Sequence, residues 1–99
     1  MSYYKIMLEG VGIRFKMDGY DRDVVGFYTT RMVSAANELD AVLSAKNMIG
    51  SEWSKGGEYS SLNCGGDPDL SLVSVKKMHV LSWFFSRKAK GYTFYLSED

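Results

Sequence analysis

The amino-acid sequence predicts an α+β fold, in which an antiparallel sheet of about four strands carries one main helix packed on one face. Three observations predict it. An alternating segment opens the chain, a second strand signal at Gly26 runs directly into a capped helix, and two further strand signals follow a glycine-rich loop. The predicted order is therefore strand, strand, helix, strand, strand (β-β-α-β-β), in a single domain over residues 1–99.

The first strand is predicted from Tyr3 to Glu9, where apolar and polar residues alternate. The residues expected to share the covered face are Tyr4, Ile6 and Leu8. The run Gly10–Gly12 is expected to form a bulge or sharp bend within one long strand. Asp18-Gly19 is a turn signal, so the first two strands are predicted to form an antiparallel hairpin with a long tip.

A helix is predicted to begin at Asn37, which can cap the first turn together with Asp40 three residues later; Ser34 is the alternative cap. Gly50 is expected to end the helix in a left-handed conformation. Lys46 interrupts the apolar stripe, and we expect its stem to cover apolar surface while its ammonium reaches solvent. A buried lysine with a specific role is the alternative. The stripe predicted to face the sheet comprises Leu39, Val42, Leu43 and Ile49, widened by Ala35, Ala36 and Ala45.

The second half of the chain is less regular. Residues 51–69 are predicted to form a long Gly/Ser-rich loop, because paired glycines and a proline favour turns. A third strand is predicted from Leu70 to Leu81, and because both of its faces are mixed, its central part is expected to be bent or to lie near a sheet edge, where lysines discourage unwanted pairing. Residues 82–90 are predicted to form either a short helical turn or the loop of a hairpin, and residues 92–96 the last strand.

Composition excludes several classes of protein. Twelve basic and twelve acidic residues give no net charge, which excludes the basic footprint of a dedicated duplex-binding protein. The single cysteine, Cys64, excludes an intramolecular disulfide and a cysteine-based zinc site, and is typical of a reducing compartment. We find no leader-like segment before Tyr3 and no apolar run near the roughly 18 residues that span a bilayer, so we expect a cytoplasmic protein.

The sequence contains no constellation of nucleophile, base and orienting group, so we expect no enzymatic activity, no cofactor and no metal site. His79, the only histidine, is expected to be structural or exposed, and a catalytic base is the alternative. Cys64 is expected to be an incidental thiol, with a loop nucleophile as the alternative. The aspartates near the hairpin tip lack the spacing of a calcium loop and are expected to be solvated.

The C-terminal region combines large rings with cations. Single-stranded nucleic acid is bound by such a combination, because rings stack on bases while cations follow the phosphates. The alternative is a hairpin whose basic loop stays solvated and whose rings complete the core. The candidate interaction surface consists of Trp83, Phe84, Phe85, Arg87, Lys88, Lys90 and Tyr92.

The chain resembles short, uncharacterised bacterial proteins in which an aromatic-Thr-Thr-Arg strand leads through a small residue into a helix, and which end on a glycine-aromatic strand. Here those features are Gly26–Ala35, the alanine-bearing helix to Ile49, and Gly91–Tyr95. This resemblance implies no activity. In architecture, Tyr3–Ile49 looks like the start of HicB-type antitoxins, which neutralise an RNA-cleaving toxin in bacteria, although GFYTTRMVSA replaces their proline-glycine-cysteine-like segment.

A helix of about four turns covers one face of a four-stranded sheet, so the second face must meet water, the long loop or another chain. The number of large rings favours an interface there. We therefore expect a non-enzymatic protein-protein interaction module that forms a homodimer through the uncovered face or an edge. The alternative is a small single-stranded nucleic-acid-binding or antitoxin-like regulatory protein.

Overall fold

A computed structural model of the protein describes residues 2–54, 56–57, 59–82 and 91–97. The predicted α+β class, the four-stranded antiparallel sheet and the main helix are confirmed. The order along the chain matches the prediction apart from residues 80–82, which are helical and lie between the third and fourth strands. The elements are β1 (Ser2–Phe15), β2 (Val24–Ala35), α1 (Glu38–Trp53), β3 (Asp69–Met78) and β4 (Tyr92–Leu96).

The strands lie side by side in the order β3-β1-β2-β4, and each neighbouring pair is antiparallel. The predicted hairpin of β1 and β2 is confirmed, and its tip contains Gly19 at a φ of 89°. Since β2 and β3 both run antiparallel to β1, they are parallel to each other, and α1 crosses over β1 to connect them. This topology places β3 and β4 at the two edges of the sheet.

The first strand is bent but continuous, as predicted. Gly12 has a φ of 92°, in the left-handed region that glycine favours. The pairing of β1 with β2 shifts register between Val11 and Phe15, so the bend is an irregularity within one strand. The long loop is fastened at this bend, because the N–H groups of Cys64 and Gly66 donate to the carbonyls of Arg14 and Gly12 at 2.7 and 3.1 Å.

The core lies between the sheet and α1. Tyr4, Ile6 and Leu8 are buried on the helix side, as the alternation predicts. The Trp53 ring stacks on Phe27, with centroids 5.3 Å apart, and on Tyr59 of the loop, with centroids 4.8 Å apart. The loop therefore adds a ring to the core as well as backbone hydrogen bonds to β1.

The start of α1 is confirmed, since the backbone N–H of Asp40 donates to the side-chain oxygen of Asn37 at 2.9 Å. The predicted end at Gly50 is wrong. The helix continues to Trp53, and Gly50 does not have a positive φ. Trp53 is fully buried in the core and Glu52 binds a cation of the sheet, so packing holds the last turn beyond the glycine.

The predicted apolar stripe of α1 is partly wrong. Ile49 and Ala45 are buried as expected, but Leu39 is 68% exposed and Leu43 is 50% exposed. Small residues allow the helix axis to approach the sheet closely, so the alanines rather than the leucines mark the contact face. Lys46 is half-buried beside this face. The residues buried against the sheet are spaced by four: Ala41, Ala45, Ile49 and Trp53.

Two cross-strand pairs place an aromatic ring over a glycine, one on each face of the sheet. Gly10 lies opposite Phe27, and a Cβ atom at Gly10 would clash with the Phe27 ring. Gly26 lies opposite Tyr95, and a Cβ atom at Gly26 would clash with the Tyr95 ring. Both glycines therefore provide space for close packing. Within the part of the chain that the structure describes, no helix is long and apolar enough to cross a membrane.

Candidate interaction surface

Most of the interaction surface predicted from the sequence lies outside the described residues. That part comprises Trp83, Phe84, Phe85, Arg87, Lys88 and Lys90. Tyr92 is described, and it lies in β4 on the helix side of the sheet. Its ring makes edge contacts with Phe27 and Tyr59 at centroid distances of 4.9 and 5.0 Å and stacks on Phe94 at 5.6 Å. The Tyr92 ring is thus engaged in the aromatic core.

Arg31 is a buried cation on the helix side of β2, only 2% exposed. Its two terminal nitrogens donate to the two carboxylate oxygens of Glu52 at 2.7 and 3.1 Å, which is the bidentate geometry of a strong charge-assisted pair. The guanidinium also lies over the Tyr92 ring, 5.3 Å from its centroid. The pair therefore connects the sheet to the last turn of α1.

Tyr92 extends this cluster to β4. Its hydroxyl donates to Oε1 of Glu52 at 2.6 Å and accepts from the Trp53 indole N–H at 3.3 Å. Burial and the hydrogen bond to Glu52 raise the pKa of Tyr92. Burial is the largest single influence on the pKa of Arg31 and lowers it, but the hydrogen bonds and charge interactions with Glu52 and Tyr92 together outweigh burial, so the pKa of the guanidinium is raised.

This cluster holds three elements of the fold together. The charges of Arg31 and Glu52 satisfy each other, and the cluster joins β2, α1 and β4 at one point. Nε of Arg31 is buried and has no hydrogen-bond partner among the residues that the structure describes, which adds a desolvation cost to the pair. A buried cation whose carboxylate partner is already bound has little capacity left for a ligand.

The face of the sheet away from α1 carries a second tyrosine. The Tyr95 hydroxyl donates to Oε2 of Glu9 at 2.8 Å, and its ring lies 5.7 Å from that of Tyr28. Burial and the hydrogen bond to Glu9 raise the pKa of Tyr95 to about 12. This contact ties β4 to β1 across β2, which stiffens this end of the sheet.

The β3 edge is the most exposed element of the sheet. Among the described residues β3 pairs only with β1, so its outer row of backbone N–H and C=O groups faces away from the sheet. Leu72 is 46% exposed and Val73 is 48% exposed. A ten-residue edge strand with exposed apolar side chains is a template for pairing with another chain.

The helix exposes apolar residues on its outer face. At 100° per residue, Leu39 lies about 160° from Ala41 and Leu43 lies about 160° from Ala45, so both leucines point away from the sheet. Their exposure of 68% and 50% agrees with this placement.

The residues weighed for catalysis have ordinary surroundings. Nδ1 of His79 accepts a hydrogen bond from the backbone N–H of Leu81 at 3.2 Å, next to the helical residues 80–82. The Cys64 thiol is exposed, and its weak contact is with the carbonyl of Leu62 at 3.9 Å. No group of three or more metal-ligating side chains occurs within residues 2–54, 56–57, 59–82 and 91–97.

Comparison of the chain with protein-family models, with curated proteins and with solved structures gave no match. The resemblances inferred from the sequence therefore stay predictions.

Proposed function

We propose that this protein is a non-enzymatic protein-protein interaction module that forms a homodimer through sheet surface left uncovered by α1. The observation that supports it is the exposed edge of the sheet formed by β3. This edge strand exposes Leu72 and Val73. Scattered apolar residues are ordinary at a protein surface, but apolar residues gathered along an edge strand are typical of an interface.

The physical driving force is removal of this apolar area from water. Burial stabilises by about 25 cal/mol per Å² of apolar surface, and an added strand also pairs backbone groups at the edge. An exposed edge strand suits a two-fold symmetric contact, in which the same surface serves both copies. A homodimer therefore buries this surface without a second type of chain.

The oligomeric state tests this proposal directly. Sedimentation velocity of the purified chain should be followed over a concentration range of about three orders of magnitude, because the dissociation constant is unknown. We expect the mass to rise toward twice that of the 11.1 kDa chain. A mass of one chain at every concentration would contradict the homodimer.

Single-stranded nucleic-acid binding, the alternative from the sequence, receives no support from Tyr92. Its ring contacts the core and its hydroxyl is bound to Glu52. The alternative stays a prediction, based on the cations Arg87, Lys88 and Lys90. Absence of binding to single strands at low salt would exclude it, since phosphate contacts are strongest there.

A further inference from the structure

The sequence of β3 is a chemical palindrome. Residues 69–76 read DLSLVSVK: acid, apolar, serine, apolar, then apolar, serine, apolar, base. Read from either end, the classes of side chain follow in the same order, and the two ends carry opposite charges. A strand with this pattern is complementary to an antiparallel copy of itself.

A bulge in β3 determines which residues of this palindrome lie on each face of the sheet. Met7 of β1 pairs with Ser74, while the next residue, Leu8, pairs with Leu72, so Val73 is an additional residue on β3. Such a bulge shifts the alternation of side chains by one position. As a result, the polar residues on both sides of the bulge lie on one face of the sheet, and the apolar residues lie on the other face.

The pairing of β3 with β1 shows on which face of the sheet each residue of β3 lies. The apolar set pairs with residues of the helix side of β1 and consists of Leu70, Leu72 and Val75. The polar set pairs with residues of the opposite face and consists of Asp69, Ser71, Ser74 and Lys76. Each half of the palindrome therefore presents apolar groups toward the helix layer and polar groups toward the open face.

We propose that two copies of this chain pair their β3 edges antiparallel, about a two-fold axis between Leu72 and Val73. This inference rests on the proposed homodimer and specifies its surface. In this register Asp69 lies opposite Lys76 of the partner subunit, and each Ser71 lies opposite the partner's Ser74. The two four-stranded sheets become one continuous sheet of eight strands.

The register follows from charge and face together. Symmetry produces the Asp69–Lys76 pair twice, and opposite charges facing each other across antiparallel strands are stabilising. On the helix side, Leu70 meets the partner's Val75. A shift by one residue would set the polar face of one copy against the apolar face of the other.

The competing register that keeps the faces aligned is shifted by two residues. It places Leu70 opposite the partner's Lys77 and Asp69 opposite the partner's Met78. Both charge pairs are then lost, and an apolar side chain faces an ammonium group. The charges of β3 therefore select the register with its axis between Leu72 and Val73.

Charge reversal and rescue test this interface. Dissociation constants should be measured by sedimentation equilibrium for the wild type, D69K, K76D and the double variant D69K/K76D. Each single change turns two attractive pairs into two repulsive ones, and we expect it to weaken the dimer about tenfold. The double variant should regain the wild-type constant. An equimolar mixture of D69K and K76D should form dimers with one copy of each, because both charge pairs are restored between them.

The matched control is K77D. It changes the net charge as K76D does, but Lys77 lies on the helix side of β3 and faces no acid across the proposed seam. We expect the K77D dimer to keep the wild-type dissociation constant. Equal weakening by K77D and K76D would show a general charge effect and would overturn the proposed register.

The outcomes separate this inference from the proposed function. A wild-type dimer that neither D69K nor K76D weakens would overturn the β3 interface while leaving the homodimer standing. Failure of the D69K and K76D chains to associate with each other, beside a stable wild-type dimer, would overturn it as well. A wild-type chain that is monomeric at every concentration would overturn both proposals.

Discussion

At the scale of single residues, Arg31 has the largest structural role. It occupies a position of the covered face of β2, between Thr29 and Val33, where an uncompensated charge would be costly. Glu52 compensates it with two hydrogen bonds, and Tyr92 adds a ring over the guanidinium. Three elements therefore depend on one ion pair.

We predict that E52Q destabilises the fold strongly. Removing one partner of a buried ion pair leaves an uncompensated charge, which is strongly destabilising. Because Glu52 is partly exposed, we expect a loss of about 3 kcal/mol in unfolding free energy, at the lower end of the losses usual for buried pairs. The control is D23N, which breaks the exposed Arg14–Asp23 pair and should cost less than about 1 kcal/mol. Urea unfolding measures both, and equal losses would contradict a structural role for the buried pair.

A second prediction concerns pH. Folding raises the pKa of Tyr95 to about 12, so the folded chain holds a proton that the unfolded chain releases near its ordinary pKa of about 10. The stabilisation is complete below about pH 10 and is lost as the pH rises toward 12. In Y95F the loss of unfolding free energy above about pH 10 should be shallower than in the wild type.

Unfolding in urea at a series of pH values measures this difference. The control is Y20F, because Tyr20 is 51% exposed at the hairpin tip. Its profile is measured in the same way. Parallel profiles for Y95F and the wild type would show that the Tyr95–Glu9 hydrogen bond does not hold the phenol neutral.

At the scale of elements, α1 shows how contacts distant in sequence override local signals. Asn37 caps the helix through a neighbour three residues away, so the sequence alone indicates the start. The end depends on Trp53 and Glu52, which contact Phe27 and Arg31 more than twenty residues away along the chain. Local chemistry at Gly50 favoured termination, and tertiary contacts outweighed it.

The contact face of α1 was mispredicted for a related reason. Leu39 and Leu43 are strongly hydrophobic, so the sequence favours them as core residues, yet the close approach of the helix selects alanines.

The alternation of β1 and the DG turn at the hairpin tip were predictable because both patterns are local. The Arg31–Glu52 pair was not, although an arginine on an otherwise buried strand face signals that a carboxylate partner is needed.

We predict that G50A stabilises the protein by about 1 kcal/mol, because Gly50 is in the interior of a helix and its site has room for a methyl group. The matched control is G19A, whose site has equal room but whose φ is 89°, so it should destabilise. Thermal and urea unfolding measure both changes. Destabilisation by G50A would show that the helix ends at Gly50 after all.

At the scale of the whole molecule, α1 covers one face of the sheet, and among the described residues β3 pairs only with β1, so its outer edge stays open. The order of polar and apolar residues in β3 can be read from the sequence. Their division between the two faces of the sheet depends on the bulge at Val73, which only the pairing with β1 reveals. The proposed dimer uses this edge, which exposes Leu72 and Val73.

Disulfide trapping between copies tests this assembly most directly. In a C64S background, which removes the exposed native thiol, S71C chains should be mixed with S74C chains under mild oxidation. Directly opposite residues of antiparallel strands have Cα atoms about 4.5–5.5 Å apart, within the range that a disulfide spans.

We expect rapid formation of a covalent dimer that contains one chain of each kind. Each variant oxidised alone should form little, because neither Ser71 nor Ser74 faces its own copy across the proposed axis. Absence of the mixed disulfide at concentrations where the wild type is dimeric would contradict pairing of the two β3 edges in this register.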